Sequence, residues 1–418
     1  MLGVMTPDDV VAIRAGSLVD VDNGEVRTDR QLVIRGPRIE LEISAHDPPP
    51  EGARPIDLSG STVLPGLMDM HAHLIGEPES NAGYAELVTR SAAQEALTGV
   101  RNARSTLMAG FTTVRDVGTF RAFVDVDLRD AIEAGWILGP RMRCAGAYVT
   151  SSSGGGDIPG LAVDMDEHVP KDLRFGVANS VEDVRRAVRE ILHRGADLIK
   201  VIATGAVMTE GTTPGAPEFS EEEIRAAVEE AALYDTHVAA HAHGAEGIKR
   251  AVRAGVRSIE HGSLIDDEGI DLMLEHGTYL VADIYCGDWI EEAGSREGWP
   301  ESSLRKNRET SDAQREGFVK AVKAGVRIAF GTDEGIYPHG LNARQFAYQV
   351  RYGQTPMEAI QSATRTSAEL LGLQGDVGSL VPGTFADVVA VPGDPLTDVT
   401  LLEDIAFVMK GGEVVKGP

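Results

Sequence analysis

Cysteine and positive charge are both scarce in this chain of 418 residues. Two cysteines, Cys144 and Cys286, are too few for a disulfide framework, so nothing in the sequence points to an oxidising compartment. Lysine and arginine total 39 against 65 aspartate and glutamate residues, which gives a formal net charge of −26. So acidic a chain would repel phosphate, and we therefore expect no nucleic-acid partner.

Long apolar segments are missing as well. The chain has no run of about 18 uncharged apolar residues, so the sequence predicts no membrane span. The first residues, MLGVMTPDDVVAIRAG, carry acidic side chains where a signal peptide needs a basic start and an apolar stretch. We therefore expect a soluble, cytoplasmic protein with no membrane partner.

Hydrophobic residues nevertheless make up 42% of the chain, enough for a large core. Eight apolar, strand-like runs alternate with helix-like runs, a pattern typical of a (β/α)8 TIM barrel. The strand-like runs span residues 66–73, 112–118, 141–149, 198–203, 237–243, 258–262, 279–285 and 327–333. The clearest helices lie at 181–195 and 220–235, and the second opens on a capping box formed by Ser220 and Glu223.

Short strands separated by turn signals flank this pattern on both sides. They occupy residues 8–65 and the tail after residue 375. The sequence therefore predicts an α/β fold with two domains. A barrel covers residues 66–372, and a small β-sandwich domain is formed by both chain termini, residues 1–65 and 373–418.

Polar residues stand at the ends of five of the apolar runs: His71 and His73, Lys200, His241, His261, and Asp333. Burying such groups at one end of a barrel is costly unless they bind ions or pair with each other. A lone His-x-His pair is a weak metal signal, and Lys200 alone could form a salt bridge with Asp333. Because the pattern recurs on five strands, we favour a metal cluster.

The segments PGLMDMHAH, LIKVIATG, AAHAHG, SIEHG, FGTD and LVPGTFADVVAVPGDPL resemble the amidohydrolase superfamily along essentially the whole chain. Within it, the chain resembles the imidazolonepropionase-related, prolidase-like branch. The segments AHAHGAEGIKRAVRAGVRSIEHGSLIDDEGI, ADIY and FGTDEGIYPHGLNARQFAYQVRYGQTPMEAIQSAT resemble its metal-dependent carboxypeptidases, or dipeptidases, which release C-terminal Arg or Lys.

The resemblance implies a binuclear enzyme whose two divalent ions are expected to be zinc. It assigns His71, His73 and Asp333 to one ion and His241 and His261 to the other. Lys200, carboxylated by carbon dioxide to a carbamate, would bridge both, and a metal-bridging hydroxide would attack the amide carbonyl. Asp333 and Lys200 are thus the candidate catalytic residues, and the resemblance further implies a homo-oligomer.

The loop after the third run departs from the family pattern. Many prolidase-like members have a T-G-G-H loop whose histidine polarises the scissile carbonyl. Here the loop contains Ser153, Gly154, Gly155, Gly156 and Asp157, with Gly155 at the histidine position.

Candidate substrate contacts lie at or just beyond predicted strand ends: His243, Tyr148, Asp283, Tyr285 and His339. His243 is expected to contact a substrate carboxylate, and orienting a metal ligand is the alternative. Asp283 is a candidate partner for a cationic side chain, and capping a helix or binding a backbone amide are its alternatives.

The function expected from the resemblance is hydrolysis of an amide bond that releases a C-terminal amino acid, Arg or Lys, from dipeptides or N-acyl amino acids. The alternative is a hydrolase of non-peptide amides, ureas or carbamates, similar to hydrolases of ochratoxin or phenylureas. A third possibility is a catalytically inactive scaffold, but a complete ligand set argues against it.

Overall fold

The computed structural model describes residues 9–76, 86–158, 160–166 and 168–417. Its β-strands are β1 (Val10–Asp20), β2 (Glu25–Arg35), β3 (Arg38–Ser44), β4 (Arg54–Pro65), β5 (Leu67–Ala72), β6 (Phe111–Asp116), β7 (Arg141–Cys144), β8 (Tyr148–Val149), β9 (Ile199–Ile202), β10 (Val238–Gly244), β11 (Ser258–Leu264), β12 (Tyr279–Val281), β13 (Val388–Pro392), β14 (Phe407–Lys410) and β15 (Glu413–Lys416).

The helices alternate with the central strands. They are α1 (Glu86–Thr89), α2 (Ala92–Met108), α3 (Val124–Glu133), α4 (Val163–Asp166), α5 (Val181–His193), α6 (Glu221–Ala232), α7 (Ala245–Ala254), α8 (Asp267–His276), α9 (Cys286–Glu297), α10 (Glu301–Ala324), α11 (Arg344–Arg351), α12 (Pro356–Ser362) and α13 (Arg365–Leu371). Both helices singled out in the sequence are present, and Ser220 and Glu223 form the predicted capping box of α6. In the described part of the chain, no helix has the length and apolar character that crossing a bilayer requires.

The chain divides into two compact units. One contains the chain up to Asp69, the segment Arg104–Val114, and the chain from Gly340 onward. Its strands form a seven-stranded mixed sheet in the order β15-β14-β13-β4-β1-β2-β3, so strands from the two termini pair as predicted. Alternate residues of these strands, such as Ile13, Leu32 and Val388, form its apolar core. The limits of the two domains at residues 65 and 373 remain a prediction.

The other unit contains Met70–Ala103 and Arg115–His339. Strands β8 to β12 form a five-stranded parallel sheet, and β5, β6 and β7 form a sheet of three. Helices separate most successive strands, so the α/β architecture is as predicted. The single run predicted at 141–149 is divided into β7 and β8. Gly146 turns the chain there with a left-handed φ of 72°.

The eighth predicted run, residues 327–333, is not a regular strand. It lies between β12 and β5 and contacts both through isolated bridges and single backbone hydrogen bonds. Leu280 pairs with Ile328 on one side, while the amide of Asp333 donates to the carbonyl of His71 on the other at 2.8 Å. At Gly331 the segment packs closely on β12, because a Cβ there would lie 2.2 Å from a Val281 methyl group. The segment therefore links the two sheets without a continuous strand.

Candidate active site

All six candidate metal ligands line one pocket of about 150 Å³. They occupy the barrel strands or the residues just after them: His71 in β5, His73 after β5, Lys200 in β9, His241 in β10, His261 in β11, and Asp333 at the end of the eighth segment. The carboxyl ends of barrel strands are where this fold carries functional groups. The structure therefore brings together the whole predicted set.

Asp333 faces both histidines of the first motif. Its Oδ1 atom lies 3.5 Å from Nε2 of His71 and 3.4 Å from Nε2 of His73. The remaining ring nitrogen of each histidine donates to a fixed acceptor: Nδ1 of His71 to Glu260 at 2.8 Å, and Nδ1 of His73 to the carbonyl of Gly118 at 2.7 Å. Protons on Nδ1 leave lone pairs on Nε2, which is the arrangement that binding a metal ion requires.

Glu260 is itself held by a buried arginine. The guanidinium of Arg115, fully buried, donates to both carboxylate oxygens at 2.7 and 2.8 Å, and to the hydroxyl of Ser258 at 3.0 Å. Charged pairs buried this deeply are tolerated when every group has a partner. The ring of His71 is therefore oriented by an arginine–glutamate pair beneath it.

Two further histidines form the other half of the site. The rings of His241 and His261 lie 4.6 Å apart, and His261 lies 4.7 Å from His71. Nδ1 of His261 donates to Asp283 at 3.0 Å, so its Nε2 carries the lone pair. In His241 the order is reversed: Nε2 lies 3.4 Å from the carbonyl of Gly205, so a proton on Nε2 leaves the lone pair on Nδ1.

Imidazole and carboxylate groups in this arrangement fit divalent ions. Three such groups have ligand atoms within 4.8 Å of one another: His71, His73 and Asp333; His241, His243 and His261; and His261, Asp283 and Asp333. Burial lowers the pKa of His71 and of His241 well below the usual value, with the Lys200 charge contributing to both. Both rings are therefore neutral at physiological pH, as metal ligands must be.

Lys200 is buried among these groups. Burial lowers the pKa of its amine to about 8, although the carboxylates of Glu260, Asp333 and Asp283 oppose the shift. Within the described residues Lys200 forms no ion pair, so the salt bridge with Asp333 that the sequence left open is not formed. A lowered pKa makes the neutral, nucleophilic amine accessible near neutral pH.

Two site residues have strained backbones. His261 and Asp333 adopt left-handed φ angles of 68° and 56°. Residues other than glycine rarely adopt this conformation, which costs of order 1–3 kcal/mol and clusters at functional sites. The left-handed turn at His261 also interrupts the alternation of side chains along β11, which is why Glu260 and His261 both contribute to the site.

The predicted substrate contacts separate into two groups. Tyr148, His243 and Asp283 line the pocket. Tyr285 and His339 are not among its lining residues within the described chain. The ring of Tyr285 packs edge-to-face on Tyr337 at 5.3 Å, and Nδ1 of His339 bonds to Glu334 at 2.9 Å. Both residues follow strand ends, where the turn of the chain could not be read from the sequence.

Gly155 lines the pocket as its place in the loop suggests. A Cβ there would lie 3.0 Å from a methyl group of Ile202 and 3.1 Å from Cβ of Ala206, so the loop is packed for a residue without a side chain. The amide of Gly155 donates to Glu218 at 2.8 Å, and burial raises the pKa of Glu218 to about 7.

Sequence reasoning missed two sets of residues. One is Glu260 with Arg115, and the carboxylate inside the apolar run SIEHG was a signal for it. The other is the polar face that α10 presents to the pocket, formed by Asn307, Thr310, Ser311 and Gln314. No signal distinguished this face from that of a solvated helix.

The profile of the amidohydrolase family matches residues 62–416, and the chain belongs to this family. It is therefore a hydrolase of the amidohydrolase superfamily, whose members are generally metal-dependent. Ochratoxinase from Aspergillus niger is 35% identical over 98% of this chain and 87% of its own length. The family resemblance and the fold expected from it are thereby confirmed.

Two solved structures are similar over nearly the whole chain. A Xaa-Pro dipeptidase with methionine bound in its active site has a TM-score of 0.90 and 38% identity, covering 98% of this chain and all of that one. A prolidase complexed with N-methylphosphonate-L-proline has a TM-score of 0.89 and 32% identity, with the same coverage. Both structures show similarity in fold and sequence, and the ligands named belong to those two proteins.

Proposed function

We propose that this enzyme hydrolyses the amide bond of N-acyl amino acids, dipeptides included, and releases the C-terminal amino acid. The observation that carries this proposal is that the four predicted histidine ligands and Asp333 line one pocket, with their ligand atoms in groups of three within 4.8 Å. In the reaction, water adds its hydroxyl group to the acyl carbon, the C–N bond breaks, and the leaving nitrogen gains a proton.

The proposed ligand sets are those that the family resemblance implies, and the ring nitrogens left unprotonated by the hydrogen bonds above are compatible with them. His71, His73 and Asp333 would hold one divalent ion, expected to be zinc, and His241 and His261 the other, with Lys200 joining both as a carbamate. When bound, such ions lower the pKa of water and stabilise negative charge on the carbonyl oxygen. Lys200 suits this role because burial favours its neutral amine, which can attack the carbon of carbon dioxide and lose a proton to give the carbamate.

Asp333 is the proposed proton carrier. Burial alone would raise the pKa of its carboxyl, but its contacts with His73, His261 and Lys200 lower that pKa below the usual value. It is therefore ionised at neutral pH and can accept a proton from the attacking water. Passing that proton to the leaving amine completes the cycle.

His243 is the proposed reader of the substrate carboxylate. Its Nδ1 atom lies 2.7 Å from the hydroxyl of Ser263, which fixes the ring, and burial lowers the pKa of the imidazole well below its usual value. A neutral ring that accepts the Ser263 proton has its Nε2–H group available for the substrate.

The preference for C-terminal Arg or Lys remains a prediction with little support from the pocket. Each carboxylate that motivated it already has a partner. Asp283 accepts hydrogen bonds from His261 and Gln314, Asp288 pairs with Arg315, and Glu334 pairs with His339. The methionine bound to the similar dipeptidase instead favours an uncharged side chain.

One observation favours the alternative of non-peptide amides, ureas or carbamates. Among the described lining residues Lys200 is the sole lysine or arginine, so a free carboxylate would depend on neutral His243. Ochratoxinase is also among the similar proteins.

The test is a comparison of N-acetyl derivatives of Met, Leu, Arg and Lys, each as the acid and as the amide, with zinc-loaded protein. Preferential cleavage of the acids supports the proposal, and higher kcat/KM for Arg and Lys would restore the cationic preference. Cleavage of aryl amides, ureas or carbamates with no turnover of any N-acetyl amino acid would replace the proposal with the alternative.

A further inference from the structure

A second cavity adjoins the active-site pocket. It has a volume of about 270 Å³ against about 150 Å³ for the pocket itself. Phe120, Tyr148 and Met208 line both spaces. The second space, called the side cavity below, is bounded further by Ile75 and Leu87. None of the proposed metal ligands lines it, so it is a separate compartment that shares three lining residues with the active-site pocket.

Tyr148 and Phe120 stand where the two spaces meet. Their rings contact each other edge-to-face at 5.3 Å, and the Tyr148 ring lies 6.2 Å from that of His73. The hydroxyl of Tyr148 donates to the carbonyl of Gly118 at 3.0 Å, the same carbonyl that orients His73. The side cavity therefore begins about one aromatic ring away from the proposed metal site.

Buried cations fix the backbone on both sides of the side cavity. Arg121 donates to the carbonyls of Leu87 at 2.6 Å and Arg90 at 3.3 Å. Lys306 donates to the carbonyls of Ala206 at 2.9 Å and Thr209 at 2.6 Å, on either side of Met208. Walls held in this way form a preorganised space, which lowers the entropy cost of binding a ligand.

The carbon surfaces of the side cavity suit an apolar ligand. Its polar lining groups are Glu86, Arg90, Glu95 and Thr119. Arg121 pairs with Glu95 at 3.2 Å, and the Arg90 guanidinium donates to the hydroxyl of Thr98. The lining has two acidic residues, Glu86 and Glu95, against one basic residue, Arg90, so it offers no excess of positive charge to a ligand that ends in a carboxylate. Ile75, Leu87, Phe120 and Met208 remain as apolar contact surface.

The position around the barrel identifies which half of a substrate reaches this space. Ile75 and Phe120 follow β5 and β6, and Tyr148 lies in β8, whereas the proposed carboxylate reader His243 lies in β10. A substrate whose scissile carbonyl sits at the metal site extends its two halves in opposite directions. We propose that the side cavity is a subsite for the acyl half of the substrate and that it selects long, apolar acyl groups. This inference rests on the proposed function.

The test uses N-acetyl, N-butanoyl and N-hexanoyl derivatives of one amino acid with the zinc-loaded enzyme. Because burying one methylene is worth roughly a threefold to fourfold change, kcat/KM should rise about 100-fold from acetyl to hexanoyl, which differ by four methylenes. Leu87→Trp should fill the side cavity and bring the hexanoyl-to-acetyl ratio to about one. Leu87→Ala should raise kcat/KM for the N-octanoyl derivative relative to the N-hexanoyl one, which keeps the test decisive if the tryptophan variant does not fold.

Val88 provides the matched control. It neighbours Leu87 in α1 but is 73% exposed and does not line the side cavity. Val88→Trp should keep the wild-type ratio. Turnover of all three substrates at equal kcat/KM would overturn the subsite while leaving the proposed function intact.

Absence of any turnover would instead overturn the proposed function. The subsite is then decided by calorimetric binding of the uncleaved N-hexanoyl amino acid. Weaker binding to Leu87→Trp than to Val88→Trp would support the subsite, and equal affinities would overturn it.

Discussion

The tripeptide His-Ala-His occurs twice in the barrel, at residues 71–73 and 241–243, with different surroundings. In the first copy both rings present Nε2 to Asp333, because Glu260 accepts from Nδ1 of His71 and the carbonyl of Gly118 accepts from Nδ1 of His73. In the second copy Nε2 of His241 faces a backbone carbonyl, which leaves Nδ1 for a ligand. Nδ1 of His243 forms a hydrogen bond with the hydroxyl of Ser263. Identical motifs thus differ in chemistry because the acceptor behind each ring selects its tautomer.

The largest effect is expected at the residue that serves both motifs. Lys200→Ala should lose at least one ion per chain, and with it turnover by roughly a thousandfold, the rate equivalent of losing several kcal/mol of metal stabilisation. Elemental analysis and kcat measure the two losses, and a short carboxylic acid should restore part of the rate. Full metal content at the wild-type rate would show that Lys200 bridges nothing.

Substituting the second histidine of each motif separates their roles. His73→Asn should lose metal together with activity. His243→Asn should keep its metal and raise KM for the N-acyl amino acid by roughly tenfold or more, the worth of a hydrogen bond to a charged group, with little change for the matching amide. Metal content and KM for both substrates are measured in each variant. Equal metal loss in the two variants would make His243 a ligand.

The groups behind the rings are the next comparison. Glu260→Gln should weaken metal binding by about 10- to 100-fold, as changes to groups that orient a ligand do. It also leaves the buried charge of Arg115 unpaired, at about 3–5 kcal/mol of folding free energy. Ser263→Ala should lower the folding free energy by only about 1 kcal/mol and leave the metal affinity unchanged. Metal titration and thermal denaturation test both variants, and matching metal affinities would contradict the contrast.

The smallest effect concerns Glu218, behind the glycine loop. Its carboxyl is favoured in the neutral form when folded, with a pKa raised by burial from 4.5 to about 7. Its contribution to stability is therefore fully present below pH 4.5 and declines as pH rises through about 7. Glu218→Gln should remove this decline, whereas Glu222→Gln, exposed on α6, should not. Thermal midpoints from pH 4.5 to 8 measure it, and parallel curves for Glu218→Gln and wild type would refute it.

How far the sequence predicted the site depends on where each residue lies in its strand. His71, Lys200 and His241 each interrupt or end an apolar run. The sequence therefore indicated both that these polar side chains are buried and that burying them costs free energy unless they bind an ion or a partner. Asp333 was found in the same way, although its segment is not a regular strand. The helix face at Asn307 and the positions of Tyr285 and His339 depend on turns after the strands, and local periodicity carries no information about these.

The backbone bonds of the eighth segment have a consequence for metal exchange. The amide of Asp333 donates to the carbonyl of His71 at 2.8 Å, and the amide of His73 donates to the carbonyl of Glu334 at 2.8 Å. Backbone hydrogen bonds therefore position three proposed ligands, His71, His73 and Asp333, relative to one another. These hydrogen bonds offset part of the cost of the left-handed turn at Asp333. A site held in this way should release one divalent ion and bind another without unfolding. Which metal it contains would then depend on which divalent ions are available in its surroundings.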